Sequence, residues 1–186
     1  MTAPVVWIVL PVVIAIFLLV LPRERLVAAL GTISALALAG LAYWIPPDTA
    51  QRLGSFSLRS DATLNLFGRQ ISLTTADQTL LIIVYGLAAF WFFGTLAVGG
   101  ARQLVPLGLA VIALLVASLA VQPFLYAAML IEMAVLVAVP LLARLGQPPG
   151  RGLMRFVIYQ TLAMPFILLA GFLLSGVEAG PGDTQG

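Results

Sequence analysis

Apolar residues in this chain gather into long unbroken runs, in place of the alternating or 3.6-residue stripes of water-soluble elements. Six runs, residues 3–21, 26–45, 78–98, 104–121, 123–142 and 156–174, are long enough to cross hydrocarbon, which takes about 30 Å at a helical rise of about 1.5 Å per residue. Only the fifth contains a charged residue type, Glu132. The pattern predicts an all-α integral membrane protein, with a six-helix domain over residues 1–176 and a polar tail at 177–186 that reads as a connecting loop or a loose terminus. The first run lacks a basic segment before it and is followed by Arg23 and Arg25, so it reads as a retained helix and not a cleaved leader.

The connections are equally patterned. Pro46-Pro47 ends the second helix, and residues 63–73 alternate apolar and polar side chains around Gly68-Arg69. That alternation predicts a short β-hairpin on the outer membrane face, with Leu66 opposite Ile71, Leu64 opposite Leu73 and Asn65 opposite Ser72. Asp77 is placed to cap the third helix. The cluster Phe90-Trp91-Phe92-Phe93 reads as lipid or packing contacts, and Gly108, Ala110, Ala113, Ala117 and Ser118 make the fourth helix narrow enough for close approach. Gln122-Pro123 leaves almost no loop, so the fourth and fifth helices are expected to pair antiparallel.

Composition narrows the chemistry. With 62% hydrophobic residues, 9% charged and a mean hydropathy of +1.13, the chain is far from the soluble norm of about 25% charged. It has no histidine and no cysteine, which excludes thiolate and imidazole metal sites, Cys/His or Ser/His catalysis, disulfides and His-ligated haem. No cofactor, metal or redox centre is expected. No cluster of acids and bases stands ready for lipid chemistry, and the scattered arginines exclude nucleic acid as a partner. All nine basic residues are arginines, and six of them (Arg23, Arg25, Arg102, Arg144, Arg151 and Arg155) fall in the first, third and fifth loops. Positive residues stay on the cytoplasmic side, so both termini are expected outside.

Glu132 is the candidate functional residue. A carboxylate at the bilayer centre costs about 2.5 to 3.5 kcal/mol on insertion scales, so it persists where it faces protein or water. Its one-turn neighbours Ala128, Met129, Val135 and Leu136 are apolar, and an ionised carboxylate among them needs a cation from outside this chain. Two readings stay open: a proton or cation site, and a protonated acid that hydrogen-bonds a neighbouring helix as structural glue. Pro140 and Pro165 are expected to kink the fifth and sixth helices, and Tyr159, Gln160 and Thr161 are candidate lining groups of a polar half-pathway to Glu132.

A helix with one buried glutamate, a short basic turn, and then Arg155-Phe-Val-Ile-Tyr-Gln-Thr-Leu-Ala-Met-Pro-Phe-Ile-Leu-Leu-Ala-Gly171 resembles helices five and six of the antiporter-like subunits. These belong to respiratory complex I (NADH-quinone oxidoreductase), the Mrp cation/proton antiporters and membrane hydrogenases. Two opening helices, an outer-face hairpin and external termini are usual there as well. The resemblance covers the first six of about fourteen family helices. It implies a subunit of a hetero-oligomeric, quinone-linked complex in a bacterial inner membrane, with Glu132 in the ion pathway opposite a lysine on a broken seventh helix. This chain has no lysine and ends before a seventh helix, and Leu130-Ile131 stand where an aromatic residue often precedes the glutamate. The resemblance therefore implies a fragment, a split subunit whose partner supplies the lysine, or a degenerate homologue kept for assembly.

Overall fold

The computed structural model describes residues 5–44, 52–53, 56–57, 63–66, 69–73, 75–122, 125–143 and 150–178. A π-helical stretch Val5–Val9 leads into α1 (Leu10–Val20), followed by α2 (Glu24–Trp44) and the paired two-residue strands β1 (Arg52–Leu53) and β2 (Phe56–Ser57). Strands β3 (Thr63–Leu66) and β4 (Arg69–Ser72) precede a 3₁₀ turn, Thr75–Asp77, and α3 (Gln78–Val98). The chain continues through α4 (Ala101–Ala120), β5 (Val121–Gln122), α5 (Leu125–Leu142) and α6 (Arg151–Glu178).

Four helices are long and apolar enough to cross a membrane, over Glu24–Trp44, Gln78–Val98, Arg102–Ala120 and Arg151–Leu173, which marks the chain as a membrane protein. Two of the six expected spans, 3–21 and 123–142, form shorter apolar helices, Val5–Val20 and Tyr126–Leu142. The sixth begins at Arg151, ahead of the apolar run at 156–174. Hydropathy marks where oil begins, whereas backbone hydrogen bonding carries a helix on through polar residues at the interface. Pro46-Pro47 and Arg144 lie outside the described residues, as do 179–186 of the tail.

The core is made by small residues on α2. Ala28, Gly31, Thr32 and Ala35 recur at helical spacing and are buried, so α1, α3 and α4 can approach closely. Gly31 is a true close approach: a Cβ built there would lie 2.1 Å from Cγ1 of Val105 on α4, itself fully buried. One turn further along α4, Gly108 leaves room for the ring of Phe92, the one member of the aromatic cluster that turns inward. Phe90, Trp91 and Phe93 are exposed, as lipid-facing rings would be. Ala113 and Ala117 of the small set on α4 are buried.

A second cluster joins Trp7, Leu38, Leu81, Tyr85 and Val116. Pro11 has no N–H, so the carbonyl of Trp7 lacks its ordinary donor four residues ahead. The buried Tyr85 hydroxyl donates to it at 2.5 Å from α3. The Trp7 indole N–H in the same cluster is buried without a hydrogen-bond partner among the described residues. Tyr85→Phe should therefore destabilise the fold by about 1 to 2 kcal/mol, near the upper end for interhelical hydrogen bonds in membranes. An unchanged Tm in detergent would show that the carbonyl finds another donor.

β3 and β4 pair antiparallel, with Leu64 opposite Ile71, Asn65 opposite Gln70, Leu66 opposite Arg69 and Thr63 opposite Ser72. This register departs by two residues from the one expected from alternation. A slip of two keeps every side chain on its own face, so alternation cannot tell the two registers apart. What separates them is Leu73, which leaves the ladder and is buried in the second cluster. β4 also pairs with β5, placing Ile71 opposite Val121 and Gln70 opposite Gln122, so the α4–α5 connection becomes a third strand. Asp77, the expected cap, makes no side-chain capping bond, because it already lies in the 3₁₀ turn with α-region dihedrals. Gln78 ties this end instead, its Nε2 donating to the carbonyl of Ala42 at 2.9 Å. At the opposite end Gly99 and Gly100 adopt positive φ, 85° and 79°, and turn the chain sharply from α3 into α4.

Candidate functional site

Glu132 stands near the middle of α5, seven residues or about 10 Å from its first residue. Among its one-turn neighbours Ala128 is buried while Met129 and Leu136 are exposed, so Glu132 occupies the border between the packed and open faces and is itself half-buried. Across from it, Thr161 of α6 donates from Oγ1 to Glu132 Oε1 at 3.4 Å. That is longer than the 2.5–3.0 Å usual for O–H···O, so a small movement of either helix tightens or breaks it. Among the described residues this hydroxyl is the polar partner of the carboxyl.

The three candidate lining residues project in different directions from α6. Successive helical residues project about 100° apart and cannot share one face. Thr161 reaches Glu132, Gln160 is half-buried, and Tyr159 lies 71% exposed. α6 is the least covered helix of the fold, with 6% of its membrane-length window buried, and it packs against α5.

Both prolines lie within continuous helix, and each frees a carbonyl close to the site in sequence. Pro140 removes the donor for Leu136, one turn from Glu132, and Pro165 removes the donor for Thr161 itself. In hydrocarbon such groups need partners from neighbouring helices or water. The role of Pro165 could have been read from sequence by counting four residues back; the pairing of Thr161 with Glu132 could not.

Elsewhere, an apolar groove of about 540 Å³ runs between α3 and α5 over α4, lined by Leu87, Trp91, Leu104, Gly108 and Leu141 among others. A cavity of about 550 Å³ at the arginine-bearing end is lined by Leu19, Glu24, Gly100, Arg102 and Gln103. No group of three or more acidic residues that could hold a metal occurs among the described residues. No protein-family model matches this chain, and no curated protein or solved structure is significantly similar to it.

Proposed function

We propose that this chain is an antiporter-like membrane subunit that lends Glu132 to a proton or cation pathway within a respiratory, NADH-quinone oxidoreductase-type complex. In this reading all six apolar segments cross a bacterial inner membrane, both termini and the β3–β4 pair lie outside, and other membrane subunits complete the assembly. One of them supplies a lysine opposite Glu132. The chain carries no redox centre and serves a translocase driven from elsewhere in the complex.

The observation that supports this most is the placement of Glu132 at the edge of the bundle, half-buried mid-helix beside the uncovered flank of α5 and α6. A carboxyl in hydrocarbon is costly unless something polar faces it, and that flank is where a further helix fits. When the partner lysine is charged and near, Glu132 stays ionised; when the lysine's proton moves on, the carboxyl is free to change its own protonation. The 3.4 Å bond from Thr161 favours a second reading, a non-catalytic assembly subunit in which Glu132 is interhelical glue. The two separate in the complex carrying Glu132→Gln. Lost translocation with normal assembly supports the ion pathway, and normal translocation rejects it in favour of the scaffold.

A further inference from the structure

Four serine and threonine hydroxyls in these helices bond within their own helix. Thr32 donates to the carbonyl of Ala28 at 2.7 Å, Ser34 to Gly31 at 2.9 Å, Thr95 to Phe92 at 2.6 Å and Ser118 to Leu115 at 2.7 Å. Each satisfies itself within its own helix, three or four residues back, as threonine and serine do in apolar surroundings. Thr161 instead donates across to α5, to the only acid within any apolar run of the chain. Its backbone is also unlike theirs, because Pro165 denies the Thr161 carbonyl its helical donor.

We infer that Thr161 is the positioning residue of Glu132, hydrogen-bonded to its carboxyl in both of its charge states. A hydroxyl has one proton to give and lone pairs to accept with, which an arginine or a backbone N–H does not combine. Toward the ionised carboxylate, Thr161 Oγ1–H donates, as in the structure. Toward the neutral acid, the Glu132 O–H donates to Thr161 Oγ1. The threonine proton then turns to the carbonyl of Val157, four residues back, bonding within its own helix as those four hydroxyls do. No covalent bond is made or broken at Thr161; one hydrogen bond reverses direction. The carboxyl thus keeps a fixed seat between α5 and α6 whichever charge it carries, and burial without a partner, which is costly in hydrocarbon, is avoided in both states. The role deepens the ion-pathway reading and rests on it for its purpose, although the hydrogen bond itself does not.

The test is infrared spectroscopy of the full chain in liposomes, following whichever carboxyl band, acid C=O or carboxylate stretch, disappears in Glu132→Gln. In Thr161→Val, which keeps the shape and loses the hydroxyl, that band should move, an acid C=O band to higher wavenumber. Thr161→Ser should restore it. Thr161→Ala serves as the second hydroxyl-free variant where the valine form is poorly recovered. A band unmoved in both hydroxyl-free variants overturns the proposal. So does a serine variant that behaves like valine, or a band that moves only in Pro165→Ala, which would give the seat to the freed carbonyl. The outcomes stay separable from the parent reading. An unmoved band beside lost translocation in Glu132→Gln removes Thr161 alone, whereas a moved band beside normal translocation removes the ion pathway alone.

Discussion

Glu132→Gln is expected to bring ion translocation by the assembled complex close to background while leaving assembly intact. Glutamine keeps the length and the acceptor oxygen of glutamate, so it can still receive the Thr161 hydroxyl and hold α5 against α6. It cannot take up or release a proton, nor balance a cation. The loss is therefore confined to the charge step, which is what the reading requires. Glu132→Leu makes the complementary case. It removes the charge and the hydrogen bond together and leaves Thr161 with its own helix to bond, so weakened assembly is expected from leucine on either reading. Translocation is read as voltage or proton uptake in proteoliposomes, assembly as recovery of the intact complex. A glutamine variant that pumps normally would leave only the structural role.

Gly31→Ala should be the most damaging single-methyl change in the described core. In an exposed helix the exchange is favourable by about 1 kcal/mol, because alanine holds helical backbone better than glycine. Here the new methyl lands 2.1 Å from Val105 Cγ1. Val105 cannot retreat: it is fully buried on α4, and a β-branched side chain in a helix has one strongly preferred rotamer. The helices must separate or the backbone must shift, an overpacking penalty of about 1–3 kcal/mol that outweighs the propensity gain. Gly40 supplies the control in the same helix. An added Cβ there meets nothing within 4 Å, so Gly40→Ala should be neutral or slightly stabilising. Val105→Ala in the Gly31→Ala background removes the colliding methyl and should recover part of the loss. Equal Tm values for the Gly31 and Gly40 variants would refute the close approach.

Much of the membrane character was legible because oil selects for residue type without regard to contacts. Apolar runs, proline breaks and arginine-bearing loops are read one residue at a time, and the positions of the helices follow to within a few residues. The ladder register was ambiguous because alternation repeats every two residues, and the burial of Leu73 in the second cluster goes with the observed pairing.

The sequence by itself determined that the chain is helical and apolar, that thiol, imidazole and zinc chemistry are closed to it, and that one acid, Glu132, stands apart within the apolar runs. Each of these depends on composition or on local order along one strand of chain. Only the tertiary structure decided which hydroxyl meets that acid, which of four consecutive aromatics turns inward, and which glycine carries the close approach to Val105. Periodicity fixes the direction of a side chain around its own helix axis. The rotation and depth of one helix against another are set by the shapes of both, and no single run contains that information.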